Sequence, residues 1–127
     1  MKASASVTLG IFIWLGIMEV PFADAGSTTR ASVDSAGNQF NRPSQHAAIS
    51  ANGRFVAFES LITTLTGDIR GIFVHDLRTG TTVVASQDLT GTHLANGDSF
   101  NPAISANGRF VAFESDATNL VAGDTNA

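Results

Sequence analysis

The sequence predicts an all-β fold of repeated four-stranded antiparallel meanders, and three observations carry that reading. Residues Ala48–Ser60 (AISANGRFVAFES) recur letter for letter as Ala103–Ser115, a spacing of 55. Each copy places Asn-Gly beside an apolar run, a strong short-range hairpin signal. After residue 26, no segment sustains apolar residues at spacings of three and four over a helix length. An internal copy at this period is the mark of solenoids, propellers or arrays, whose units cannot bury an apolar face alone.

The copy extends past its identical core. Asn41, Ser44 and Leu65 match Asn96, Ser99 and Leu120 at the same spacing. Upstream, Ser32, Asp34 and Gly37 match Ser86, Asp88 and Gly91 at a spacing of 54. Downstream, Gly67-Asp68 matches Gly123-Asp124 at 56. One-residue shifts of this kind belong in connections, since a slip within a strand would turn every side chain to the wrong face.

Within one unit the strands follow in order. Strand A is expected at 46–50 and strand B at 54–60, which carries Phe55, Val56 and Phe58. Ala51-Asn52-Gly53 turns the chain between them, with Asn-Gly suited to positive φ. Strand C follows at 71–77 (GIFVHDL), Arg78-Thr79-Gly80 makes a tight turn, and strand D is the β-branched run 81–86. Meanders repeated every 40 to 55 residues are the blades of a β-propeller. A β-sandwich or a parallel β-solenoid is the alternative, although solenoid coils are usually shorter and seldom hold two tight hairpins each.

The pattern AIS-ANGR-FVAFES followed by GIFVHDLRTGTT resembles the WD40-like β-propeller repeat of the TolB type (PD40). That family's hallmark runs P-x-x-S-P-D-G-x-x-I-A-F-x-S, then I-Y-V-x-D-x-x-T-G. Asn52-Gly53 and Asn107-Gly108 stand where the family usually has Asp-Gly. Pro102 keeps the family's proline and Ala47 replaces it in the first copy. The resemblance covers about residues 28–127. It implies blades and protein–protein contacts in a bacterial envelope, without the family's separate N-terminal domain.

Residues 1–25 read as a secretory signal that is removed. Lys2 supplies the positive start, 7–18 is an uncharged apolar stretch, and Ala23-Asp24-Ala25 offers a small-residue cleavage site. The apolar stretch is shorter than the roughly 20 residues a spanning helix needs, so no stable membrane anchor is expected after cleavage. The remainder, 26–127, carries six arginines against nine acidic residues and lacks the basic footprint of a nucleic-acid binder. With no cysteine, the chain has no disulfide, thiol nucleophile or thiolate metal site. A periplasmic or extracellular location follows as the expectation.

The repeats tile as an incomplete propeller of about two blades: a strand D remnant at 28–33, a full blade at 46–86 and a partial blade at 101–127. Either the chain is the N-terminal piece of a longer propeller, or several copies assemble through their exposed apolar faces. Alternating strand direction places the connections Asp34–Gln45 and Leu61–Arg70 on one rim, with Asp88–Phe100 and Asp116–Ala127 from the second copy. Long loops on a rigid scaffold carry specificity. The candidate binding residues there are Asn38, Asn41, Arg42, His46, Asp68 and Arg70. Their second-unit counterparts are His93, Asn96, Asp98, Asn101, Asp116, Asn119 and Asp124. The competing reading is that these residues are turn formers.

No catalytic constellation is expected. There is no G-x-S-x-G elbow, and the three histidines lack a metal-ligand spacing. Asp116, Asn119, Asp124 and Asn126 offer oxygen donors, but at no calcium-loop spacing, so neither metal nor cofactor is expected. Glu59 and Glu114, like Arg54 and Arg109, hold one repeat position and read as structural, the arginines as partners across blades, because an active site is built once. The functional expectation is a non-enzymatic protein- or ligand-binding or scaffold module, with envelope or extracellular proteins or polymers as partners. The alternatives are the propeller portion of a longer secreted hydrolase and a truncated, non-functional product.

Overall fold

The computed structural model describes residues 28–64 and 67–124, which form six strands and no helix. They are β1 (Ser44–Ile49), β2 (Phe55–Thr64), β3 (Gly67–Asp76), β4 (Thr81–Val84), β5 (Ser99–Ile104) and β6 (Val111–Ser115). The first four make an antiparallel meander in the order β1-β2-β3-β4, and β5-β6 form a second, two-stranded sheet. The all-β class and the expected meander are therefore present. The expected signal segment, 1–25, lies outside the described residues.

The two copies fold alike in detail. Ser44↔Ser60 and Ala48↔Ala57 in the first sheet recur as Ser99↔Ser115 and Ala103↔Ala112 in the second. Each register breaks between Gln45 and Ala48, or between Phe100 and Ala103. At those bulges His46 and Asn101 both take φ of 50°. A bulge admits one extra residue and re-aims its side chain, so this repeat position points a polar group out of the regular pleat.

The A–B turn differs from the Asn-Gly hairpin expected. Gly53, at φ 71°, has positive φ while Asn52 does not. Gly53 N–H donates to the Ser50 carbonyl at 2.8 Å, and Ser50 N–H to Phe55 at 2.9 Å, closing a longer loop. Asn52 serves through its side chain instead: Oδ1 accepts from Ser50 Oγ at 2.7 Å and from Arg54 N–H at 3.0 Å. Asn107 does the same with Ser105 and Arg109, both at 3.0 Å. An asparagine whose amide mimics a backbone turn explains the choice of residue.

Two further expectations are corrected. The connection Leu61–Arg70 is no long loop. β2 and β3 run on as one hairpin in which Leu61↔Arg70, Thr63↔Asp68 and Thr64↔Gly67 are paired. Ile62, Thr63 and Thr64 are β-branched, which favours the extended strand over a loop. Of the strand expected at 28–33, only Val33 takes a strand bridge, to Gln39. That segment instead leans on β4, where Thr82 Oγ1 donates to the Val33 carbonyl at 2.5 Å and Ser35 Oγ to the Thr82 carbonyl at 3.0 Å.

Alternation along β2 divides the meander into two faces. Val56, Phe58 and Ile62 face one side together with Phe73 and Val84, and Phe40 and Ala31 cover them. Phe40 packs edge-on to Phe58 at 5.8 Å, and Phe58 stacks on its cross-strand partner Phe73 at 5.6 Å. Ala57, Glu59 and Ile72 face the other side, where β5 lies against β1, β2 and β3 and buries them. Among the described residues, this is how the second unit joins the first.

Phe58→Ala should cost about 3–5 kcal/mol in a urea titration, as expected of a buried aromatic in a packed core. Phe113→Ala, the same residue of the second copy but half-buried, should cost roughly 1–2 kcal/mol.

Candidate functional site

Glu59 stands in an apolar run, FVAFES, on the β2 face that meets the second unit, and is 1% exposed. Burying a carboxylate costs several kcal/mol unless donors replace its water, and here donors arrive from four places. Oε1 accepts the Asn101 N–H at 2.8 Å and lies 2.7 Å from His46 Nδ1. Oε2 takes a long bond from Gln45 Nε2 at 3.4 Å and faces Arg70 Nε at 3.6 Å. The Asn101 bond crosses from one unit to the other. The bulge that turns Asn101 out of β5 aims its N–H at this carboxylate.

Arg70 extends the cluster. Its backbone N–H donates to Asp98 Oδ1 at 2.9 Å, and its guanidinium lies 3.6 Å from Asp98 Oδ2. The guanidinium also sits 5.2 Å from the centre of the Phe100 ring, a cation–π contact. A cleft of about 190 Å³ lined by Pro43, Gln45, Glu59, Ser60, Leu61 and Arg70 opens beside the cluster. Among the described residues, every buried side-chain polar atom has a partner.

The structure thus gathers four of the expected binding residues, His46, Arg70, Asp98 and Asn101, around Glu59. The others are distributed elsewhere. Arg42 pairs with Asp68 at 3.0 Å, and Thr63 Oγ1 donates to the same carboxylate at 2.9 Å. Asn38 donates to Asp34 from its backbone at 2.8 Å and its side chain at 3.0 Å, which makes it a turn former. Those bonds hold the Asp34 carboxyl below its usual range.

The same loop recurs at Asp88, whose Oδ1 accepts from Thr90 Oγ1 at 2.7 Å, Thr92 N–H at 3.2 Å and His93 N–H at 3.3 Å. The Thr90 hydroxyl foremost lowers the Asp88 carboxyl to about 2. Asn96 and Asn119 are joined: Asn96 N–H donates to Asn119 Oδ1 at 2.9 Å, and Thr118 N–H to Asn96 Oδ1 at 2.9 Å. Asp116 N–H donates to the Asp98 carbonyl at 2.9 Å. Asn41 and Asp116 are exposed, and Asp124 lies at the end of the described segment.

A second polar pair stabilises the other end of the meander. Arg54 reaches both oxygens of Asp76, at 2.9 and 2.5 Å, within its own unit and not across the junction. The guanidinium holds the Asp76 carboxyl well below the usual carboxylate range. Arg109 lies over Phe110 at 5.8 Å. His75 hydrogen-bonds through Nδ1 to Thr82 Oγ1 at 2.8 Å rather than to its neighbour Asp76.

Sequence reasoning left Glu59 out of the site because its repetition marked it as structural. The available signal was a charged residue within an apolar strand, a placement that demands buried partners. Chemically, a carboxylate surrounded by fixed donors is a clamp that joins β1, β2, β3 and β5. Compared with protein-family models, with curated proteins and with solved structures, the chain matches none.

Removing the clamp should separate two identical residues by their effect. Glu59→Ala should destabilise the chain by about 1–3 kcal/mol, since it removes the hydrogen bonds that join the two units and empties a buried side-chain site. Glu114→Ala, at an exposed position, should change stability by about 0.5 kcal/mol or less; chemical denaturation of both variants gives the comparison. For Asp76 the folded-state value is depressed, so its contribution is complete above the unfolded value of about 3.9 and is lost as pH falls through the folded one. Asp76→Asn should therefore flatten the acid limb of a stability–pH profile below about pH 4.

Proposed function

We propose that this chain is an exported β-propeller repeat segment that works as a non-enzymatic binding or scaffold module. Its partners are envelope or extracellular proteins or polymers. The junction carries this reading: one four-stranded meander packs its Glu59 face on the first strand of the next copy. Units stacked face to face through a repeated contact are the building principle of propellers. Resemblance to the TolB-type repeat supports the same reading.

The non-enzymatic part rests on how the titratable groups are used. Glu59, Asp76 and Asp88 each spend their oxygens on fixed donors within the protein. The Asp34 and Asp88 loops are braced by the same internal bonds, so they present pre-ordered surfaces, and pre-ordering lowers the entropy lost on binding.

Expression in an exporting bacterial host tests the two parts separately. The expected product begins at Gly26 and is recovered outside the cytoplasm; a cytoplasmic product that retains residues 1–25 rejects export. Turnover of chromogenic peptide or glycoside substrates that disappears in a folded Glu59→Gln variant rejects the non-enzymatic reading.

A further inference from the structure

Identical residues of the two copies differ in exposure, and the differences fall into a pattern. On the Glu59 side, Ala57 is 0% exposed and Glu59 1%, whereas Ala112 and Glu114 are exposed. The second unit therefore bares the face that the first unit buries against it. On the opposite side the order reverses. Ser99 is 0% exposed and Pro102 is buried, while their counterparts Ser44 is half-buried and Ala47 exposed. Ile49 is 60% exposed where Ile104 is half-buried. A cleft of about 430 Å³, with Ser44, Ala47 and Phe58 in its lining, opens on that side of the first unit.

A matched knob and hole repeat the pattern. At the junction, Phe55 of the first unit lies so close to Gly108 of the second that any side chain there would run into its ring. The corresponding knob, Phe110, is 69% exposed, and the corresponding hole, Gly53, faces open space. The carboxylate follows suit. Glu59 accepts the N–H of bulged Asn101, and His46 holds the same bulged conformation at φ 50° one repeat earlier.

We propose that copies of this chain associate head to tail. The bare face of one copy's second unit seats on the first unit of another, with Phe110 over Gly53 and Glu114 accepting the His46 N–H. The occupant is a second copy because both halves of the contact are on this chain, and the junction within the chain shows them fitting. A face that meets a different face is heterologous, so the contact propagates to a ring or an open filament instead of stopping at a two-fold dimer. The inference requires only the stacked junction; it does not depend on a radial arrangement of blades or on export.

Sedimentation equilibrium of the full chain over a concentration series is the test, with a blocked head (Ala47→Arg) and a blocked tail (Ala112→Arg). Wild type should exceed the 13.2 kDa monomer mass at least twofold as concentration rises. Each variant alone should remain monomeric, and an equimolar mixture should form a dimer that grows no further. That complementation distinguishes head-to-tail contact from association through residues 1–27 or through a two-fold contact, in which at least one variant alone would still self-associate. A wild type monomeric throughout the series, or a mixture that stays monomeric, overturns the proposal. Circular dichroism checks folding, and Ile49→Arg with Phe110→Glu form a second head and tail pair if either arginine variant unfolds.

Discussion

The buried carboxylate of Glu59 is the constraint around which the structure is arranged. A charge held at 1% exposure requires donors in fixed places, and no single strand supplies enough of them. Gln45 and His46 come from β1, Arg70 from β3, and the Asn101 N–H from the neighbouring unit. The carboxylate therefore ties sheet register, the β1 bulge and the unit junction into one requirement. Apolar burial of Ala57 and Ile72 beside it supplies non-directional attraction. The hydrogen bonds select the stacking geometry.

A repeat protein places one sequence in different surroundings, which makes environment visible as a variable. Glu59 and Glu114 share thirteen residues of identical context, yet one is a buried clamp and the other an exposed carboxylate bound by the Asn101 amide at 2.6 Å. Phe55 covers a neighbour's glycine where Phe110 meets solvent. Local structure does not explain the contrast, because turn, bulge and pairing are the same in both copies. Position in the stack does.

Legibility in the sequence followed the range of the forces involved. The meander, the place of the β1–β2 turn and the Arg78–Gly80 turn depend on neighbouring residues, so alternation and turn residues revealed them, while the form of the β1–β2 turn is set by the Asn52 side chain. Leu61–Arg70 departs from the expected long connection because cross-strand pairing, such as Thr63 with Asp68, extends the hairpin. The 28–33 segment copies a strand's composition but leans on β4 through Thr82 and Ser35. Among the site residues, Asn38 and His93 serve the local turns that the competing reading allowed. His46, Arg70, Asp98 and Asn101 converge only because two sheets meet.

By itself, the sequence determined the all-β class, the existence of two equivalent units and the order and central residues of four strands in the first. Those follow from period-two alternation, turn residues and an exact copy, all local in the chain. Tertiary structure alone decided which face of a unit is buried, which of two identical glutamates becomes a clamp, and which expected residues share a site. These depend on contacts across 28 to 42 residues of chain, such as Arg70 with Asp98 and Glu59 with Asn101. No local pattern encodes them, because the same thirteen letters serve on both sides of the junction.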